Sequence, residues 1–204
     1  MPRIRAASID EHKALTRNSL LASAKGLIAE AGTAEIPLGE IALAAGVGRT
    51  TLYDYFVDRD DLIATLVEAE LPGVIDRLIA GAPASGTAGE QLADLAGRTV
   101  EFVASDPVLG LILHREVGRM GPEAQERVRA AHSHLADAMM GLYHHGVRDG
   151  EFREMPPDLA GRLIQDTIMS AAKSVISARD PGERTPVVIV HLRHFLLGGL
   201  RRDR

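Results

Sequence analysis

Residues Leu38–Leu62 read LGEIALAAGVGRTTLYDYFVDRDDL, and this stretch decides the fold. The pattern predicts two short helices joined by a tight turn at Gly46, because glycine adopts a positive φ without steric cost. Leu52 and Phe56, which are four residues apart, are expected to anchor the second helix to the core. A third helix begins directly afterwards. This order is that of a helix-turn-helix, whose second helix lies in the major groove of DNA.

The second helix leaves several polar and aromatic side chains that the core does not need. An arginine at the front of such a helix, here Arg49, pairs with the O6 and N7 atoms of guanine, and Thr50 is expected to contact a base or a thymine methyl group, whereas Thr51 is expected to contact a phosphate. The free N–H groups of a helix N-terminus also favour a phosphate. The residues expected to contact the groove and the phosphates are Arg49, Thr50, Thr51, Tyr53 and Tyr55.

The chain around this stretch resembles the DNA-binding domain of TetR-type transcriptional regulators. The matching segments are LLASAKGLIAEAG at Leu20–Gly32, EIALAAGVGRTTLYDYF at Glu40–Phe56, and the Arg59-x-x-Leu62 that follows. The resemblance implies a phosphate contact for Tyr53 and a further DNA contact for Arg59. It also implies a ligand cavity enclosed by the middle helices. Pro37 departs from the family pattern, which usually has a Ser or Thr N-cap at that place.

The composition is that of a soluble globular protein, with 46% hydrophobic and 25% charged residues. The 204 residues allow one large domain or two modest ones. No apolar run approaches the roughly 20 residues that span a bilayer, and the N-terminal sequence lacks the apolar stretch of a secretory signal. The absence of cysteine excludes disulfides and thiolate metal sites. We therefore expect a cytoplasmic protein that does not contact a membrane.

The charge balance argues mildly against nucleic acid as a partner. The formal net charge is −5, and residues 1–60 carry seven Lys and Arg against eight Asp and Glu. A DNA-binding domain usually shows a basic footprint, but the field on the docking face matters more than the sum of charges. Arg3 and Arg5 form a candidate arm for the minor groove. The alternative for this arm is that both arginines are merely solvated.

Apolar periodicity and capping signals predict helices throughout the chain. The predicted helices cover about 8–31, 38–45, 49–56, 59–78 with a kink or break at Pro72-Gly73, 88–103 behind a Thr87-x-x-Glu90 capping box, a segment from Pro107, 122–145, 157–178 and a last one from Thr185-Pro186. The β-branched run Val187–Val190 is compatible with a strand, but no partner strand is found for it. We expect an all-α fold with a three-helix DNA-binding domain at 1–57 and a larger helical domain at 58–204.

The larger domain is expected to form a dimer. A single helix-turn-helix makes too few contacts for a tight specific site, so we expect a homodimer that reads a palindrome in double-stranded DNA. The last two predicted helices carry apolar stripes wider than a one-sided helix needs, and four such helices form a bundle across a two-fold axis. The alternative is that both stripes are internal core. The predicted interface residues are Ile164, Ile168, Ala171, Ala172, Val175, Leu192, Phe195, Leu196 and Gly199.

The same domain is expected to hold a small-molecule effector. Methionines adapt to varied apolar shapes, and a histidine or tyrosine supplies the few polar anchors that such pockets use. The aliphatic character favours an apolar or amphipathic effector, whereas the alternative is that these residues are ordinary core. The candidate lining residues are Phe102, Leu109, Leu113, His114, Met120, Met139, Met140, Tyr143 and His144.

No other chemistry is favoured by the sequence. The eight histidines lack a cysteine or a clustered carboxylate partner, so neither a metal nor a cofactor is expected. No nucleophile elbow, phosphate loop, HExxH or dinucleotide-binding glycine pattern is found, so the protein is not expected to be an enzyme. The hypothesis is a regulator, by default a repressor, that an effector releases from its operator. The alternative is an all-helical small-molecule-binding protein or enzyme with a vestigial helix-turn-helix.

Overall fold

The computed structural model describes residues 6–83 and 85–202, and the regular elements in these ranges are helical apart from an isolated bridge between Phe152 and Arg201. The helices are α1 (Ala6–Ala31), α2 (Leu38–Ala44), α3 (Arg49–Tyr53), α4 (Arg59–Ala80), α5 (Ala88–Ser105), α6 (Pro107–Leu111), α7 (Pro122–Arg148), α8 (Pro157–Ile176) and α9 (Pro181–Leu200). A π-helical turn over Ile112–Glu116 and a 3-10 turn over Val117–Arg119 follow α6. The predicted all-α fold is confirmed. Within the described ranges, no helix is long and apolar enough to cross a membrane.

The turn between α2 and α3 has the geometry that the sequence predicts. Gly46 has a φ of +71°, a conformation that other residues adopt only at a steric cost. Gly48 is the N-cap of α3 in extended conformation, with φ −70° and ψ 148°. Pro37 is the N-cap of α2 and supplies no side-chain hydrogen bond. The reversal between the two helices is therefore built by backbone geometry rather than by capping side chains.

Several helix boundaries differ from those predicted. Helix α3 ends at Tyr53 instead of continuing to Phe56, because the chain turns there and the N–H groups of Tyr55 and Phe56 both donate to the carbonyl of Leu52. Helix α4 is one element that includes Pro72, so of the predicted kink or break the break does not occur.

The last helix begins earlier than predicted. The Asp180 carboxylate accepts a hydrogen bond of 3.0 Å from the N–H of Glu183, which makes Asp180 the N-cap and Pro181 the first helical residue. Pro186 therefore lies inside α9, where one backbone hydrogen bond is missing because proline has no N–H group. The run Val187–Val190 is helical, as predicted.

The chain forms two compact units. The first unit contains residues up to 69 together with 111–128, and the second unit contains residues 70–110 together with those from 129 onward. Helices α4 and α7 therefore each contribute residues to both units. The core of the first unit joins α1, α2, α3 and the start of α4 through Leu20, Ala24, Ile28, Ile41, Leu52, Phe56, Leu62 and Leu66.

The second unit is organised around α5, α8 and α9, which pack against one another. The predicted capping box is present at the start of α5, where Thr87 and Glu90 exchange hydrogen bonds with each other's backbone N–H. The Glu151 carboxylate also accepts from the N–H groups of Ala88 and Gly89, at 3.2 and 3.0 Å. The N-terminus of α5 is thereby tied to the turn that follows α7.

Candidate DNA interface and effector cavity

Helix α3 turns one face inward and the other to solvent. Leu52 is fully buried, and so is Phe56 just beyond the helix. Arg49, Thr50 and Tyr53 are exposed on the opposite side. Three of the side chains that the sequence assigns to DNA are thus exposed, and the two that it assigns to the core are buried.

Arg49 and Tyr53 lie against each other on this exposed face. Nη2 of Arg49 is 3.5 Å from the Tyr53 hydroxyl, and its Cζ atom is 5.9 Å from the centre of the tyrosine ring. The hydrogen bond to Tyr53 raises the pKa of the Arg49 guanidinium above its ordinary value. The pair presents a permanent positive charge beside a phenol hydroxyl, which suits a guanine edge and a neighbouring phosphate.

Thr51 and Tyr55 are less accessible than the other predicted contacts. Both are half-buried, Thr51 in the middle of α3 and Tyr55 in the turn that follows it. Their side chains are therefore only partly accessible to DNA.

Arg59 is engaged within the first unit. Its Nη2 atom lies 2.5 Å from Oε2 of Glu116, and the Glu116 side chain is almost completely buried. The motif position of Arg59 predicts a DNA contact, and in the structure its guanidinium is paired with Glu116. The proposed arm residues Arg3 and Arg5 lie outside the described residues.

The second unit contains a cavity of about 320 Å³ between α5, α7 and α8. Its apolar wall is formed by Leu135, Met139, Met140, Ile164, Ile168 and Met169. Its polar groups are Thr99, Arg129, His132, Ser133, Asp137 and Gln165. Burial lowers the pKa of His132 below its ordinary value, which favours the neutral imidazole. The cavity therefore combines an apolar wall with hydrogen-bonding groups, of which Arg129, His132 and Ser133 lie on the first half of α7.

Of the candidates named from the sequence, Met139 and Met140 line this cavity. The others have different surroundings. Tyr143 is buried, donates to the carbonyl of Arg153 at 3.0 Å and accepts from the N–H of Met155 at 2.9 Å, so it fixes the turn after α7. Leu113, His114 and Met120 belong to the first unit, Leu109 is buried, Phe102 is half-buried and His144 is exposed.

Sequence reasoning missed the contributions of α8 and of the first half of α7. Gly161, Ile164, Ile168 and Met169 line the cavity from α8, whereas the sequence assigned the apolar residues of this helix to a dimer interface. The available signal was the position of Arg129 and His132, seven and four residues before Ala136 on the same helix face, since residues so spaced share a face.

Helices α8 and α9 also carry an outward apolar face. Leu163, Val187 and Phe195 are 47%, 47% and 72% exposed, and they line an open groove with Thr167, Ala171, Ser174, Val188, His191 and Leu192. Among the predicted interface residues, Ala171, Leu192 and Phe195 line this groove, Leu192 at its buried floor. Ile164, Ile168, Ala172, Val175, Leu192 and Leu196 are buried within the protomer, so the wide stripes contain internal core as well as an outer face. Gly199 is exposed.

Among the described residues, no three His, Cys, Asp or Glu side chains are placed to hold a metal ion. His191 and His194, the pair whose spacing suits a shared helix face, are both exposed on α9.

Two known protein families match this chain. The family described as "Bacterial regulatory proteins, tetR family" matches residues 20–66, and the family described as "Tetracyclin repressor-like, C-terminal domain" matches residues 85–173. The first match contains α2, α3 and the start of α4. The second contains α5 to α7 and most of α8.

Individual relatives agree with these matches. The fatty acid metabolism regulator protein of Bacillus subtilis (strain 168) is 25% identical over 150 residues, which cover 73% of this chain and 77% of the relative. The crystal structure of the transcriptional regulator FadR from Bacillus subtilis in complex with stearoyl-CoA has a TM-score of 0.75 at 22% identity and covers 90% of this chain and 98% of that one. FadR from Bacillus halodurans has a TM-score of 0.75 at 22% identity, with coverage of 92% and 97%. At these identities the structural likeness shows the fold.

Proposed function

The chain belongs to the TetR family of transcriptional regulators and is a ligand-responsive DNA-binding protein, and we propose that it is a repressor that binds a palindromic operator as a homodimer. The observation that carries this proposal is the exposed face of α3, with Arg49, Thr50 and Tyr53 outward over buried Leu52. The alternative of a carrier or enzyme with a vestigial helix-turn-helix is not favoured. As a regulator of transcription, the protein acts in the cytoplasm.

The DNA contacts divide by type. Arg49 reads a guanine in the major groove, and Thr50 contacts an adjacent base or a thymine methyl group. Tyr53 donates a hydrogen bond from its hydroxyl group to a phosphate, and its contact with Arg49 holds the guanidinium in place. Thr51 and Tyr55, which are half-buried, add contacts at the edges of this face. Arg59 makes only a secondary contribution to DNA binding, because its guanidinium is paired with Glu116.

The dimer forms through the outward face of α8 and α9. An apolar side chain as exposed as Phe195, beside Leu163 and Val187, is expected to be covered by a partner. A second copy of the chain is the occupant, because a two-fold contact places the same groove of both copies against each other. The small and polar residues Thr167, Ala171 and Ser174 allow the two α8 helices to approach closely.

The effector is amphipathic and occupies the cavity between α5, α7 and α8. Its apolar chain lies against Met139, Ile164 and Ile168, and its polar end lies near Arg129 and His132. Arg129 and Met140 are about 16 Å apart along a straight helix at 1.5 Å per residue, so one extended molecule meets both ends. An acyl-CoA fits this order of groups, and the FadR relative was crystallised with stearoyl-CoA.

The effector acts by shifting an equilibrium between two dimer geometries. One geometry matches the spacing of the operator half-sites, and the other, which the effector favours, does not. The shift cannot exceed the difference in effector affinity between the two states. Helices α4 and α7, which contribute residues to both units, are the elements through which the two geometries differ.

Selection of DNA from a random pool tests the proposed DNA binding. The wild-type protein is expected to enrich a palindrome and to bind it with an affinity that falls steeply with salt, because phosphate contacts release counterions. The same duplex with both half-sites scrambled is the control. Failure to enrich any sequence at low salt would contradict the proposal.

Calorimetric titration of stearoyl-CoA tests the effector class. We expect saturable binding that releases the selected operator, and free CoA is expected to bind more weakly because it lacks the apolar chain. Met169→Trp narrows the cavity and is expected to weaken binding, whereas Leu159→Trp, at an exposed position of α8, leaves it unchanged. Equal binding of stearoyl-CoA by wild type and the Met169 variant would contradict the assignment of the cavity.

A further inference from the structure

Arg127 on α7 makes a dense set of polar contacts with α4. Its Nη1 atom lies 2.6 Å from Oδ1 of Asp61, and its Nε and Nη2 atoms lie 2.8 and 2.6 Å from the two oxygens of Glu68. Nη2 also donates to the hydroxyl of Thr65 at 2.8 Å. All these residues belong to the first unit. One guanidinium therefore binds three successive side chains along one face of α4.

Asp61 connects this cluster to the recognition helix. Its Oδ2 atom accepts a hydrogen bond of 2.9 Å from the backbone N–H of Val57. Val57 directly follows Phe56, the buried anchor of α3. The carboxylate thus has Arg127 on one oxygen and the chain leaving α3 on the other. Glu68 and Thr65 contact Arg127 but have no such contact with the segment between α3 and α4 in the described structure.

The charges in this cluster are stabilised in their ionised forms. Partial burial acts to raise the pKa of Asp61, but the hydrogen bonds from Arg127 and Val57 outweigh it and the pKa is lowered. The pKa of Glu68 is lowered chiefly by its hydrogen bond with Arg127. Arg17 on α1 adds a further positive charge that lowers both pKa values. Charge-assisted hydrogen bonds of this kind are roughly twice as strong as neutral ones.

We propose that Arg127 is a positioning residue for operator recognition, which acts by holding Asp61 so that its second oxygen fixes Val57 and the exit of α3. This inference rests on the proposed DNA-binding function. Base contacts require the recognition helix in one orientation, whereas contacts with phosphates tolerate small displacements and carry no sequence information. Loss of the Arg127–Asp61–Val57 chain therefore lowers sequence discrimination more than it lowers general DNA affinity.

Two isosteric variants separate this role from simple stabilisation. Asp61→Asn and Glu68→Gln each remove one carboxylate partner of Arg127, but Asp61 alone of the two also contacts Val57. Binding of the selected operator and of its scrambled control is measured by fluorescence anisotropy at one salt concentration. Thermal unfolding of each variant is measured in parallel. Arg127→Met is the third variant.

We expect Asp61→Asn and Arg127→Met to lower the ratio of specific to non-specific affinity about tenfold, a change that corresponds to roughly 1.4 kcal/mol. Glu68→Gln keeps this ratio within about twofold of wild type, because Arg127 retains its bond to Asp61. Amide hydrogen exchange at Val57 is expected to accelerate in Asp61→Asn and Arg127→Met and to remain slow in Glu68→Gln. This readout does not require DNA.

Equal discrimination by the Asp61 and Glu68 variants would overturn the inference, as would slow exchange at Val57 in all three. So would a loss of operator binding that follows the fall in melting temperature across the variants. Failure of the wild-type protein to select any operator would overturn the proposed function and with it this inference. That result is distinguishable because it does not depend on any substitution.

Discussion

Two arginines approach the buried carboxylate of Glu116, and they differ in what they contribute. Arg59 lies 2.5 Å from Glu116, whereas Arg119 is 3.9 Å away and mostly exposed. Arg59→Ala leaves a buried carboxylate without its close partner and is expected to lower the free energy of unfolding by about 1–3 kcal/mol. Arg119→Ala is expected to change it by less than about 0.5 kcal/mol, as is usual for exposed pairs. Urea denaturation measures both values.

If Arg119→Ala lowered the free energy of unfolding more than Arg59→Ala, the assignment of Arg59 as the close partner of Glu116 would be contradicted. A position in a sequence motif predicts a DNA contact for Arg59, and this contact stays a prediction. It does not reveal that the π-helical turn Ile112–Glu116 brings a carboxylate to that side chain, because this contact joins residues 57 positions apart. The exposed pair Arg49 and Tyr53, which is local to one helix, was predictable from spacing alone.

The turn between α2 and α3 depends on the positive φ of Gly46. Gly46→Ala is expected to destabilise the protein by about 1–2 kcal/mol, since a side chain in this conformation meets the following carbonyl. Gly26 is the matched control, because it lies inside α1 with open space around an added Cβ atom. Gly26→Ala is expected to stabilise the protein by about 0.5–1 kcal/mol. Thermal unfolding of the two variants should shift in opposite directions, and a shift in the same direction would contradict this account of the turn.

The cluster that joins α4 to α7 makes stability depend on pH. Asp61 and Glu68 have pKa values below their ordinary 3.8 and 4.5 in the folded protein, so they stabilise it above those values and lose this effect as the pH falls through the folded ones. Arg127→Met removes the main partner of both. The difference in unfolding free energy between wild type and this variant should be largest near neutral pH and shrink below about pH 4. A constant difference from neutral to acid pH would contradict the prediction.

Helix types and capping residues were predictable, but several boundaries were not. The capping box at Thr87 and the positive φ at Gly46 follow from local rules, and both are found. The start of α9 was placed too late because Thr185-Pro186 is a strong local start signal, while Asp180 supplies an earlier cap. Likewise α3 ends early because the chain must turn to bury Phe56. Tertiary packing decides such boundaries when two local signals compete.

Assembly is tested by a charge on the outward face of α8 and α9. Phe195→Asp places a carboxylate in a contact that we propose to be apolar, so the variant is expected to be monomeric and to lose the cooperative binding of a palindrome. Leu15→Asp, at an exposed apolar position of α1, is the control and should remain dimeric. Sedimentation equilibrium measures the mass. A dimeric Phe195 variant, or a monomeric wild type, would contradict the proposed interface.

The arrangement of the second unit was predictable in kind rather than in detail. Apolar stripes on the last two helices predict that they are buried on more than one side, and the sequence assigned the whole width to a partner. The structure divides the stripe between the internal core, the cavity and the outward face, as Ile168 and Leu163 on the same helix illustrate. Periodicity gives the faces of a helix, but it does not identify what covers each one.

Operator binding by Arg49→Ala is the most direct test of the claim that α3 reads DNA. Arg49 is exposed, so the variant should fold like wild type. Competition anisotropy on the selected palindrome and on its single base-pair variants is expected to show a loss of about 1–3 kcal/mol and a relaxed preference at one position in each half-site. Unchanged affinity and unchanged base preference in this variant would contradict the account.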